Sequence, residues 1–389
     1  MICSSSQKDE ICTLSYGLNY RRKFMSEPIF RGVSKIFALK KHQLDNCHSH
    51  LVLSSKDLTL IFAISESSLN DITYIFDFNR NQETKLAYNI PLTSYVLFST
   101  ASLMTILDLS KIDSISGEPT KNENVNKGYP WDFVDAHNLV LCAVSSLSQC
   151  IFVFHLRNRP RDIDLIVPIS EISLEKFDLS RGISSFRIYV TETEIKIFLS
   201  TYSGEIIYLL TNMFGELITS QAYFRGQTVE SMVISKFDPI NFSIFLGTRS
   251  GNLINFKFDS TPTKLNISSG PVKLANCADG SLLAYSFDSA VIIAQNDLEF
   301  SKRRIFDWNF EAIVEIIYQP GKTYFCGISD DCLHYISIPP LTENFLAKNT
   351  IFYGKSISSF VLLKSGYWII AKSNSIDNSA SIGMFNSMG

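Results

Sequence analysis

The feature that constrains this chain most is a hairpin pattern written twice. Phe198-Leu-Ser-Thr-Tyr-Ser-Gly-Glu-Ile-Ile-Tyr-Leu209 reappears as Phe245-Leu-Gly-Thr-Arg-Ser-Gly-Asn-Leu-Ile-Asn-Phe256. In each copy an apolar stretch enters a polar turn, Ser203-Gly204 or Ser250-Gly251, and a second apolar stretch leaves it. Glycine there supplies the positive backbone angle of a tight hairpin turn. A lone hairpin cannot bury its faces, so recurring hairpins imply stacked sheets.

Looser copies run along the chain, at Leu51–Phe62, Leu97–Ile106, Leu141–Phe154, Leu283–Ile293, Phe325–Ile336 and Phe360–Ile370. Their spacing is close to the roughly 40–50 residues that mark propeller blades. The 29 Phe and 16 Tyr favour strands over helices. The predicted fold is all-β, a WD40-like β-propeller of about seven to eight divergent blades, forming one ring or the junction of two propellers. No Gly-His…Trp-Asp pair brackets any unit, and Trp131-Asp132 stands alone.

Composition narrows the function classes. Hydrophobic residues make up 46% and charged residues 19%, so the chain can bury a large core. A net charge of −3 argues against a protein that lives by non-specific phosphate binding. Met1–Glu10 has no basic-then-apolar leader, and no run approaches the ~18 apolar residues of a membrane span. Eight Cys without a CxxC pair are too dilute for a disulfide framework. The expected compartment is therefore a reducing one, cytosol or nucleus. Residues 1–30 are expected to be a poorly ordered lead-in, and 31–110 to hold the first blades. The polar stretch 111–130 reads as a loop or domain junction, and 131–389 as the main propeller blades.

The order of segments carries a family resemblance. Gly32-Val-Ser-Lys-Ile-Phe-Ala-Leu39, the 51–62 hairpin and Phe98-Ser-Thr-Ala-Ser-Leu103 come first. Phe186 to Phe258, Pro262-Thr-Lys-Leu265, Gly270-Pro-Val272 and Phe325–Ile336 follow. In this order they resemble the multi-propeller family of the UV-damaged DNA-binding protein large subunit. Its relatives are the cleavage and polyadenylation specificity factor large subunit, the propeller subunit of splicing factor three b, and fungal repair and silencing scaffolds. The resemblance implies that the first group ends a first propeller and the second belongs to a middle one. This chain holds only about a third of such a member. In that family the middle propeller engages a cullin. By resemblance the chain is a cullin-binding adaptor of a nuclear ubiquitin-ligase complex, in DNA repair or chromatin silencing. The RNA-processing relatives imply the alternative, a scaffold subunit of an mRNA 3′-end-processing or splicing complex. Nucleic acid would be contacted weakly or indirectly.

Catalytic groupings are sparse. There is no GxSxG, HExxH, Gly-rich phosphate loop or dinucleotide fingerprint, so no enzymatic turnover and no cofactor are expected. A propeller enzyme or lectin, the remaining alternative, would need carboxylates or a metal at the central channel. His42, Cys47, His48 and His50 lie close together, but adjacent Cys47-His48 suits paired zinc ligands poorly. Asp330-Asp331 occupies a turn position. The expectation is a chain whose partners are proteins, with no metal, membrane or small-molecule substrate. Candidate partner-binding residues are Tyr129 and Trp131, aromatics beside the polar loop. Trp131 is equally suited to pack the start of the next blade. Arg157, Arg159 and Arg161 form an Arg-rich loop fitted to phosphate or carboxylate, blunted by Asp162 and Asp164. Arg21-Arg22-Lys23 and Lys302-Arg303-Arg304 are further basic clusters.

Overall fold

The computed structural model describes the backbone from Ile2 to Met388 apart from short segments, the longest at residues 5–10, 110–122, 158–164, 236–242 and 339–346. Side chains are described within residues 33–303. Among the described residues the one helical element is a 3₁₀ turn, Thr73–Ile75; everything else regular is strand.

The strands assemble into antiparallel sheets in sequence order. Blade one comprises Lys35–Leu39, His50–Ser54, Thr59–Ile64 and Leu69–Asp71, and blade two Leu86–Asn89, Tyr95–Ser99, Leu103–Asp108 and Glu123–Asn126. Blade three comprises Phe133–His137, Val140–Ser145, Cys150–Leu156 and Ile166–Ser173. Blade four comprises Ile183–Val190, Glu194–Thr201, Glu205–Asn212 and Leu217–Phe224. Blade five comprises Val229–Ser235, Ser243–Thr248, Asn252–Phe256 and Thr263–Asn266. Blade six comprises Lys273–Asn276, Leu282–Tyr285, Ser289–Ile293 and Arg303–Asp307. Blade seven comprises Ala312–Gln319, Lys322–Ser329, Cys332–Ile338 and Ala347–Tyr353.

Blade eight takes Ile357–Leu362, Tyr367–Ser373 and Ser379–Met388 from the C-terminal end, and its outer strand, Asn19–Met25, from the other end of the chain. Asn19 pairs with Met388 and Met25 with Gly383. The inner strand Ile357–Leu362 abuts Lys35–Leu39 of blade one, so the circle closes. Leu86–Asn89 and Phe133–His137, on either side of the 111–130 stretch, are likewise neighbours. Within that stretch Glu123–Asn126 pairs with Leu103–Ile106 as a fourth strand.

Each hairpin found in the sequence is the central pair of a blade, with one exception. Phe360–Ile370 falls on the first and second strands of blade eight, not the second and third. A four-stranded blade has three successive hairpins, and an apolar pattern around a turn does not by itself say which of them it marks.

Why central strands are continuously apolar follows from the stacking. Alternate residues of one strand enter different cores. Ile197 and Leu199 pack between blades three and four, whereas Phe198 between them packs toward blade five. Ile207 and Leu209 against Ile206 and Tyr208 repeat this on the next strand. A strand covered on both faces reads as an apolar run. The turns are tied locally. Thr201 Oγ1 accepts from Glu205 N at 3.2 Å, and Thr248 Oγ1 from Asn252 N at 3.0 Å. Gly204 and Gly251 sit at φ 90° and 85°, as the repeated Ser-Gly required.

Candidate interaction surfaces

Inner strands of neighbouring blades are laced by side chains onto backbone. Asp135 Oδ2 accepts from Ile188 N at 3.0 Å and His137 Nδ1 from Val190 N at 3.2 Å, joining blades three and four. Asn89 bonds both the N–H (3.1 Å) and the C=O (2.8 Å) of Lys40. Burial pushes the Asp135 carboxyl above the usual carboxylate range, against the pull of Arg187 and of the Ile188 and Ala136 amides.

Beyond the His137–Val190 bond a cavity of about 900 Å³ opens between blades three and four. Its walls are apolar, from Leu139, Val140, Leu156, Val190 and Met213, with Arg157 and Glu192 supplying charge. All lie on the face that carries the first-to-second and third-to-fourth strand turns. His155 belongs to the wall; burial, aided by Arg157, holds its imidazole below the ordinary value against a backbone bond with Met213. It is therefore neutral at pH 7, which suits a site built mainly from apolar contact.

The opposite face carries the second-to-third strand turns. Corresponding turns of blades three, four and six expose Leu147 (70%), Tyr202 and Phe287 (54%). In blade five the same place holds Arg249, whose guanidinium lies 5.0 Å from the Tyr202 ring centre and whose Nε bonds Glu230 at 2.9 Å. Four successive blades thus present one arc with two aromatics, one aliphatic and one paired cation.

The residues singled out from the sequence are scattered. Trp131 is 1% exposed, its ring 5.7 Å from that of Phe152 and 6.2 Å from that of Phe154, and its backbone N–H donates to Ala101 O at 2.6 Å. The Lys85 amine donates to its carbonyl. Trp131 is a wedge between blades two and three, and its burial removes it as an exposed anchor. Arg157 is exposed at the end of Cys150–Leu156 and lines the cavity. Tyr129, Arg159 and Arg161 lie outside the described residues, as do Cys47, Asp330, Asp331 and Lys302. His50 is buried with Nδ1 2.8 Å from Ser49 Oγ, and His42 is exposed. Among the described residues no three His, Cys, Asp or Glu side chains converge as metal ligands would. Arg303 donates to Phe300 O at 2.6 Å, and Arg21-Arg22-Lys23 falls on the closing strand. The cavity went unseen because its walls come from four separate turns. The arc had a signal: Tyr202 and Arg249 hold the same place in the two clear hairpins.

Eight antiparallel blades around a closed ring define the class, a β-propeller. Solved structures agree. Sqt1 from Chaetomium thermophilum is similar over 96% of this chain and 100% of its own, with a TM-score of 0.65 at 13% identity. The Dos1 propeller is similar over 92% and 96%, with a TM-score of 0.59 at 10% identity. BBS1N, solved in complex with ARL6DN, is similar over 95% and 97%, with a TM-score of 0.51 at 10% identity. At such identities the likeness establishes the fold. No family model matches the sequence, and no curated protein does.

Proposed function

We propose that this chain is a non-catalytic propeller scaffold that binds other proteins. The observation that carries the reading is the arc of exposed Leu147, Tyr202 and Phe287 beside Arg249 on equivalent turns. Isolated exposed apolar residues are ordinary on a protein surface, whereas a row at matching positions of successive blades resembles a binding face. Large aromatics and Arg are also the residue types that dominate binding energy. Support of a general kind comes from a propeller neighbour, BBS1N, that was solved with a protein partner. The order of segments in the sequence favours one setting, a cullin-linked adaptor in the nucleus, acting in repair or chromatin silencing. A scaffold in mRNA 3′-end processing or splicing is the second reading drawn from the same resemblance.

Affinity purification of the tagged full chain with mass spectrometry tests this, alongside a Tyr202→Ala/Phe287→Ala double variant. We expect a stoichiometric protein partner with the native chain, reduced at least tenfold by the double variant at unchanged melting temperature. Cullin subunits would favour the adaptor and pre-mRNA factors the alternative. Recovery undiminished in the variant would remove the arc as the binding face. Imaging of the tagged chain outside the nucleus would count against both settings.

A further inference from the structure

Every blade ends in an outer strand whose far edge pairs with no other described strand. Such edges invite strand addition, and proteins guard them with charge, proline, bulges or brevity. Seven of the eight outer strands here are guarded. Leu69–Asp71 is 3 residues long; Glu123–Asn126, Thr263–Asn266 and Ala347–Tyr353 contain Glu123, Lys264 and Lys348. Ile166–Ser173 contains Pro168 and Glu171, Arg303–Asp307 begins Arg-Arg, and Asn19–Met25 contains Arg21-Arg22-Lys23. Blade four differs. Its outer strand Leu217–Phe224 is 8 residues, Leu-Ile-Thr-Ser-Gln-Ala-Tyr-Phe, with neither charge nor proline; its pairing skips Ile218 and runs in unbroken register from Thr219 to Phe224.

A second observation falls on the same strand. Of the large apolar side chains exposed among the described residues, Phe214 (77%), Leu217 and Ile218 (55%) sit within five positions at its start. Lys176 donates to Ser220 Oγ, and Tyr223 packs edge-on against Phe256 of blade five with ring centres 5.1 Å apart. Strand side chains project from sheet faces. Those contacts lie on the two faces, and among the described residues no further strand pairs along the outer edge.

We propose that this edge pairs antiparallel with the same edge of a second copy of the chain, joining two propellers side by side. An uncharged edge fits an uncharged mate, and this strand is its own best mate. A two-fold axis perpendicular to the sheet keeps like faces together, so residues opposite one another must share a face. A register centred on Gln221 meets that condition. It sets Gln221 against itself, Ser220 against Ala222, and Thr219 against Tyr223, all within the stretch of unbroken register. Small or polar residues meet at the middle. This pairing stands apart from the scaffold reading and uses neither the cavity nor the arc.

Sedimentation velocity of the full chain over a hundredfold concentration range tests the proposal. We expect a shift from the 43.9 kDa monomer to twice that mass. Ile218→Lys places a charge on the edge and should weaken association at least tenfold, with the melting temperature unchanged because the side chain is exposed. Thr263→Lys, on the outer strand of blade five, should leave association intact. The register has its own readout: Gln221→Cys should cross-link to its copy under mild oxidation, since facing Cα atoms about 4.5–5.5 Å apart suit a disulfide. Thr219→Cys and the native chain, treated alike, should not. A monomer at all concentrations would overturn the proposal. So would association that Ile218→Lys leaves untouched, or a dimer in which Gln221→Cys cross-links no better than Thr219→Cys.

Discussion

Two residues show how much one position can decide. At Gly251 an added Cβ would come within 1.7 Å of Ser268 O, and at Gly204 within 2.7 Å of Gln227 N, both at positive φ. Strain of this kind costs roughly 1–3 kcal/mol. We expect Gly204→Val to lower stability by about that amount and Gly251→Val by more, because a carbonyl oxygen on a fixed strand end cannot yield. Urea midpoints measure both; equal midpoints for the two variants would contradict the ordering. Asp135 offers a test through pH. Burial raises its folded-state pKa above the unfolded value, so the folded state holds this proton more tightly. Its contribution is then fully present at low pH and declines as pH rises from the ordinary carboxylate range through the raised value. Asp135→Asn cannot ionise, while its Oδ1 can still accept from the Ile188 amide. The variant should flatten that decline in urea midpoint against pH; a slope identical to the native one would mean that Asp135 does not titrate differently on folding.

At the scale of elements, the central hairpin of blade four is buried on both faces. Phe198 stacks on Tyr208 with ring centres 5.2 Å apart in the core shared with blade five. Truncating a buried Phe removes its transfer energy and leaves a cavity, a loss of about 3–5 kcal/mol. Phe198→Ala should therefore destabilise far more than Phe214→Ala, whose side chain is exposed, and equilibrium unfolding compares them directly. The hairpins were legible in the sequence because turn chemistry and apolar alternation act within a dozen residues. Their place in the blade was less so. The eighth hairpin sits one strand earlier than its seven relatives, and Glu123–Asn126 pairs as a strand within a stretch that reads as polar loop.

For the whole molecule, closure by Asn19–Met25 links stability to both ends of the chain. A ring sealed by strand pairing shares its cooperativity among all blades. We expect the full chain to unfold in one calorimetric transition, and deletion of residues 1–25 to lower the melting temperature and broaden it. The division drawn from the sequence, 31–110 apart from 131–389, makes the opposite forecast: an early melt of the first blades and proteolytic cleavage within 111–130. Two transitions in the intact chain would favour that division.

What the sequence determined by itself was the unit: a Ser-Gly hairpin and apolar strands, repeated about seven to eight times. These follow from forces between near neighbours, the φ that only glycine adopts cheaply and the two-residue period of a pleated strand. A continuous apolar run says that a strand has two faces to bury, not which strand it will lie beside. Only the tertiary structure decided that Trp131 is a wedge between blades and not an anchor at the surface. It alone brought Leu139, Leu156, Val190 and Met213 around one cavity, and set Asn19 opposite Met388. Those pairings join residues far apart in the chain through backbone bonds and packing that any apolar strand can make. Their choice rests on the geometry of eight sheets closing together.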